Sequence, residues 1–242
     1  MSSARAALAF LTPIGGAAAP TPSAFGWFPA LGAAIGAVLG LLWWAAARAF
    51  PSPVAAAIVV AADLGITGLL HIDGLLDSAD GLLAPLDRDR RLAVMSEPSV
   101  GAFGVAVAGV VLVARFAALS ALSPSIVLLT GIWCGSRAVM AVAPSCLPYA
   151  RGDTGGLASA FLSGRRRAPA LVAAGSGLAG LLVATMFWRP LGGAVAAASG
   201  VLAASAVLWL AHRRIGGFTG DVLGAAGVTF ETVALVVAAA KW

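Results

Sequence analysis

Four acidic residues fall between positions 73 and 87, and seven of the ten in the whole chain fall between 63 and 97. The centre of this run reads His71-Ile72-Asp73-Gly74-Leu75-Leu76-Asp77-Ser78-Ala79-Asp80-Gly81. On a helix advancing about 100° per residue, Asp73, Asp77 and Asp80 fall at about 0°, 40° and −20°, a single narrow stripe. Like charges at these separations repel and destabilise a helix unless something neutralises them. A divalent cation does so, and Mg²⁺ accepts hard carboxylate oxygens together with substrate phosphates. Asp73, Asp77 and Asp80 are therefore the expected metal ligands. Gly74 and Gly81 form a second stripe beside the first, where the missing side chains would admit a pyrophosphate or a neighbouring helix. A solvated acidic loop would account for the acids but not for the glycines. His71 points away from the stripe if the helix is continuous, so capping, indirect support and catalysis all stay open for it.

Cations follow the acids. Asp87-Arg88-Asp89-Arg90-Arg91 reads either as an amphipathic surface or as arginines set to receive phosphate. Further on, Arg151 is another candidate, and Asp221 follows Gly216-Gly217-Phe218-Thr219-Gly220. Asp221 is either an acid in a first helical turn, with Thr219 as N-cap, or a fourth carboxylate or glycine-lined ligand contact of the site.

The elements that must carry these residues are not those of a water-soluble domain. Of 242 residues, 60% are hydrophobic and 10% charged, against about 25% charged in a soluble domain. The apolar residues form runs of about twenty, the length that crosses a bilayer core of roughly 30 Å. Seven spans are expected, at about 27–48, 54–70, 100–122, 126–146, 168–187, 191–211 and 221–240. The fold class is all-α, a polytopic integral membrane helix bundle forming one membrane domain over 1–242. Residues 1–20 carry one arginine and only a short apolar stretch, which fits an interfacial segment better than a signal peptide. Ala and Gly are plentiful, as close helix packing in lipid requires.

The net charge of +5 does not point to nucleic acid, because the cations are scattered at the ends of apolar runs instead of clustered on one face. Cys134 and Cys146 have no metal-binding spacing. Ten of the fifteen Lys and Arg lie in the N-terminus and in the loops after spans 2, 4 and 6, and three lie on the opposite side. The positive-inside rule then places the N-terminus in the cytoplasm. The segments 71–99, 147–167 and 212–221 accordingly share the cytoplasmic face, as active-site segments. Asp63, Arg137 and Glu231 each lie eight to ten residues inside their spans, at roughly 12–15 Å depth. Arg137 is expected to pair with Glu231 or Asp63, and Arg115, further out along span 3, to stay apart.

The string from His71 to Gly81, continued by Asp87-Arg88-Asp89-Arg90-Arg91-Leu92, Met95 and Val100-Gly101-Ala102-Phe103-Gly104, resembles the signature stretch of the cobalamin synthase family, the adenosylcobinamide-GDP ribazoletransferases. Phe10-Leu11-Thr12-Pro13, Trp27-Phe28-Pro29, Ser136-Arg137, Tyr149-Ala150-Arg151 and Gly216 to Ala225 are similar to its other blocks, so the resemblance covers the chain. It implies a Mg²⁺-dependent transferase of the bacterial cytoplasmic membrane, multi-pass and lipid-embedded, with its active site facing the cytoplasm. The enzyme would join adenosylcobinamide-GDP to α-ribazole or its 5′-phosphate and release GMP. Under that reading Asp80 or His71 is the catalytic base, and Gly74, Gly81, Arg88, Arg90, Arg91, Arg137, Arg151 and Asp221 contact substrate. Homo-oligomerisation is left open. Asp77-x-x-Asp80-Gly81-x-x-Ala84 also echoes the CDP-alcohol phosphotransferase motif, but Pro85 stands where that motif has arginine. A small cation-coupled transporter is the rival from outside enzymes, and it would need an internal repeat and midplane polar groups.

Overall fold

A computed structural model describes residues 3–16, 21–152 and 167–241. Among them there are ten α-helices and no strands: α1 (Ser3–Leu11), α2 (Phe28–Ala49), α3 (Ser52–Ile66), α4 (Leu70–Leu83), α5 (Arg88–Val94), α6 (Ala102–Ala121), α7 (Ile126–Cys146), α8 (Arg167–Trp188), α9 (Pro190–Ile215) and α10 (Gly220–Ala238). Among the described residues six stretches are long and apolar enough to cross a membrane: 23–49, α6, α7, 171–188, α9 and α10. The pair α3 and α4 passes the same test only when taken together and is bent by 87° at its break, the shape of a broken span or a re-entrant loop, so the count is six or seven. The protein is a multi-pass helical membrane protein, and the expected spans match these helices to within a few residues, apart from the bend. Arg165 and Arg166 lie outside the described residues, as does Trp242.

Helix ends follow local chemistry. Proline opens α2, α3 and α9 within their first two positions, where its missing N–H costs nothing. Ser125, Asp87 and Thr219 cap α7, α5 and α10 through side-chain oxygens. Gly216, with φ of 81°, closes α9. The interfacial segment expected at the N-terminus contains α1, whose Leu11 is fully buried and whose Phe10 stacks on Phe28 at 5.4 Å.

The two most buried spans, α7 and α10, form the centre. Gly32, Gly36 and Gly40 line the α2 face that meets α7, and a Cβ on Gly40 would lie 2.6 Å from Ile126 Cα. Only the absence of side chains permits that approach. Both cysteines are free, Cys134 buried and Cys146 exposed.

The bend between α3 and α4 is the departure from a continuous helix. Gly68 and Leu69 both take left-handed backbone conformations, φ 58° and 62°. Leu69 is the one non-glycine there among the described residues, a conformation that costs an L-residue roughly 1–2 kcal/mol. Thr67 Oγ1 donates to the Asp63 carbonyl at 2.7 Å, and Leu69 N–H to the Leu64 carbonyl at 2.9 Å, so the frayed end of α3 is satisfied.

Below the break lies a buried ion network. Arg137 pairs with Glu231, as its depth predicts. Arg115 does not stay apart. It donates to Asp63 Oδ2 at 2.7 Å, to Glu231 Oε2 at 2.5 Å and to Thr232 Oγ1 at 2.8 Å. The expectation failed because it began span 3 two residues before α6 and span 7 one residue after the start of α10, which widened the gap in depth between Arg115 and Glu231. Arg115 lies thirteen residues into α6 and Glu231 eleven into α10, a difference of about 3 Å at 1.5 Å per residue, well within an arginine's reach. Trp133 Nε1 donates to Asp63 Oδ1 at 3.0 Å, and Ser136 Oγ to Glu231 Oε1 at 2.8 Å. Two cations and two anions thus close on one another in apolar surroundings, where each alone would be costly.

Candidate active site

The acidic helix α4 lies against the first turns of α10 and the start of α6. Glycine makes the first contact possible. A Cβ on Gly74 would lie 2.8 Å from the Asp221 carbonyl oxygen, and one on Gly224 would lie 3.2 Å from His71 Cα. Gly74 therefore admits a neighbouring helix, one of the two uses its bare position allows. The crossing brings α4 acids beside Asp221, which acts on the charge of Asp77 more strongly than Asp73 or Asp80 does. Asp73 is exposed and Asp77 half-buried, and neither has a hydrogen-bonding or ion-pair partner among the described residues.

Asp80 is placed differently. It is 8% exposed, and its two oxygens accept the backbone N–H groups of Gly101 at 2.7 Å and Gly104 at 2.9 Å. It caps the N-terminus of α6 from another helix, where an anion meets unpaired N–H groups and the positive end of the helix dipole. A Cβ on Gly104 would lie 2.6 Å from Asp80 Oδ2, so the two glycines and the acid form one device.

The arginines divide in the same way. Arg91 is buried and its Nη1 donates to the Gly81 and Leu82 carbonyls at 2.7 and 2.9 Å, closing the C-terminus of α4. Burial and the nearby Arg214 weaken its hold on its proton, while Asp87 strengthens it. Gly81 leaves room for Met95, whose Sδ would lie 2.7 Å from a Cβ there. Arg88 donates to the Ile215 carbonyl at 3.0 Å and the Ala150 carbonyl at 2.8 Å, joining the end of α9 to the loop after α7. Arg90 pairs with Glu97 at 3.1 Å on the surface. Arg137 belongs to the buried ion network, as does the neighbourhood of His71, which is buried and faces away from Asp73 and Asp77.

Arg151 is half-buried beside Asp221. It reaches the Leu92 and Met95 carbonyls at 3.3 Å, Ser96 Oγ, and Asp221 Oδ2 at 3.5 Å. Asp221 Oδ2 also accepts from Thr219 Oγ1 at 3.1 Å. The loop holding Arg151 is fastened by a two-sided backbone bridge, Ala150 N–H to the Phe218 carbonyl at 2.9 Å and Phe218 N–H to the Pro148 carbonyl at 3.0 Å. Tyr149 packs edge-on against Phe218 at 5.6 Å. Burial pushes the Tyr149 phenol above its ordinary range; Arg151 opposes that shift and Asp221 adds to it. Spacing alone does not reveal this bridge, although both halves stand in motif blocks.

Among the described residues no three His, Cys, Asp or Glu side chains enclose a metal by themselves. Mg²⁺ does not demand that, since it takes one or two carboxylates and completes its shell with water and phosphate. Asp73, Asp77 and Asp221 supply that donor chemistry beside a guanidinium that can take phosphate oxygens.

A family model described as cobalamin-5-phosphate synthase matches residues 3–239. The adenosylcobinamide-GDP ribazoletransferase of Chlorobaculum parvum is 35% identical, over 89% of this chain and 85% of its own. Those of Ectopseudomonas mendocina and Thermosynechococcus vestitus are 35% and 37% identical, covering 98% and 87% of this chain and 98% and 83% of theirs. No solved structure matches. With the signature acids, the Asp80 cap on Gly101 and Gly104, and the Arg151 bridge all falling inside the matched span, the chain belongs to the cobalamin-5-phosphate synthase family.

Proposed function

We propose that this protein is an adenosylcobinamide-GDP ribazoletransferase. A hydroxyl of α-ribazole, or of its 5′-phosphate, attacks the cobinamide-side phosphorus of adenosylcobinamide-GDP, and GMP leaves. The observation that carries this reading is the meeting of Asp73 and Asp77 of α4 with Asp221 of α10 beside Arg151. Negative oxygens for a cation and a guanidinium for phosphate then stand in one place, as pyrophosphate cleavage requires. Mg²⁺, held by Asp73, Asp77 and Asp221, would offset the charge of the pyrophosphate and its leaving group. Arg151 orients the phosphates. Asp80, Arg91 and Arg88 hold α4, α6 and the Arg151 loop in register.

The active face is cytoplasmic, on the strength of the Lys and Arg distribution, and the membrane is the bacterial inner membrane, as the family resemblance implies. The segments 71–99, 147–152 and 212–221 meet at that face through Arg88 and Arg151. The test is incubation of the purified full chain in lipid with adenosylcobinamide-GDP, Mg²⁺ and either α-ribazole or its 5′-phosphate. Release of GMP with formation of the cobalamin product supports the reading and identifies the acceptor. No GMP from either acceptor overturns it.

A further inference from the structure

A cavity of about 10 Å³ opens beside the α3–α4 break, room for a single water. Its wall includes Asp63, Thr67, His71, Arg115, Arg137 and Glu231. Two of these residues carry a buried polar atom without a partner: Nδ1 of His71 and Nε of Arg137. The Nη1 of Arg137 donates to Glu231 and to Ser136. Buried polar groups in native proteins are nearly always paired, with protein or with ordered water. In the interior of a membrane bundle no bulk solvent can make up the deficit.

We propose that this cavity holds one ordered water bridging Arg137 Nε and His71 Nδ1, and that His71 acts through it as a positioning residue for the acidic helix. The water accepts the Arg137 Nε–H and donates to the lone pair of His71 Nδ1. It fastens the first turn of α4 to the buried ion network, two residues before Asp73. The same turn also lies close against α10, where a Cβ on Gly224 would stand 3.2 Å from His71 Cα. The bend at Gly68 and Leu69 leaves α4 without a continuous helix behind it, so the water-linked contact fixes the height at which Asp73 and Asp77 meet Asp221. The activity part of this inference rests on the proposed transferase reading; the water does not.

Two measurements test it on the full chain. A high-resolution structure should show a density peak about 2.7–3.2 Å from both nitrogens, and a dry cavity overturns the water. In kinetics, His71→Leu should lower kcat about 10–100-fold, the range for residues that orient a metal's ligands, with KM for adenosylcobinamide-GDP unchanged. His71→Asn, whose amide reaches the Nδ1 position, should restore most of the rate. Should His71→Leu fail to fold, His71→Gln replaces it, since its amide reaches the Nε2 position and should not rescue. Equal losses for Asn and Gln, or a rise in KM that follows lost thermal stability, overturn the positioning role. Wild-type protein without transferase activity would defeat the functional proposal and leave the density measurement standing.

Discussion

The carboxylate of Asp80, near the end of α4, accepts the backbone N–H of Gly104 at the start of α6 at 2.9 Å. Its second oxygen takes the Gly101 N–H. The acid that lies on the same helical stripe as Asp73 and Asp77 is thus employed in holding two helices together. That reverses the stability expected on neutralising it. Charge repulsion along the stripe alone predicts that each Asp→Asn change leaves the protein as stable or slightly more so. For Asp80→Asn one oxygen becomes an N–H donor facing another donor. The variant should lose about 1–3 kcal/mol, read as a lower midpoint in thermal unfolding in lipid. An unchanged midpoint would mean that the cap contributes nothing.

Asp73→Asn and Asp77→Asn should behave in the opposite way. Neither carboxylate has a partner among the described residues, so thermal stability should hold or rise slightly. Transferase rate should fall by at least about 100-fold, beyond the loss typical of an outer-shell residue. Titrating Mg²⁺ in the assay separates the causes, since a ligand variant shifts the required concentration upward. Normal rates in both variants at saturating Mg²⁺ would remove the metal site.

Arg115 supplies a third case. It bridges Asp63 and Glu231, all three buried. Arg115→Met should destabilise by about 3–5 kcal/mol, the usual loss when one partner of a buried pair is removed. Glu231 keeps Arg137 and Ser136, whereas Asp63 keeps only Trp133 among its side-chain partners. Adding Asp63→Asn should therefore recover part of the loss, and adding Glu231→Gln should deepen it. Recovery with the Glu231 change instead would show that the pairing has been assigned to the wrong acid.

Gly74→Ala tests the helix crossing. The new Cβ would lie 2.8 Å from the Asp221 carbonyl oxygen and 3.0 Å from its Cα, both backbone atoms that cannot swing aside. Overpacking of this kind costs typically about 1–3 kcal/mol, and it pushes α4 away from Asp221. Stability and rate should fall together. Gly65→Ala, where nothing lies within 4 Å of the added carbon, is the control and should cost nothing in packing.

Orientation is checked by reporter fusions. The N-terminus and sites near 90 and 215 should report cytoplasmic, and sites near 51, 124, 189 and 242 should report outside. An outside result near 90 would overturn the arginine count and the cytoplasmic active face together.

Spans, the Thr219 cap and the acidic stripe were legible in the order of residues because their causes are local. A bilayer-length apolar run, a capping hydroxyl at a helix start, and three acids on one helical face each depend on one stretch of chain. Arg137 and Glu231 could be matched by depth because rise per residue is constant. What Asp80, Arg91 and Arg88 do was not legible. Their partners are backbone groups of other elements, Gly101 and Gly104, Gly81 and Leu82, Ile215 and Ala150. A carboxylate bound to backbone N–H and one set to bind a metal look alike in a sequence, since any residue but proline supplies the N–H. The same holds for Leu69, an ordinary helix former that takes a left-handed conformation at the α3–α4 break. Residue order decided which side chains could carry charge into the membrane. Only the packing of α4 between α6 and α10 decided which of them hold the helices together, because that choice depends on which helix ends meet.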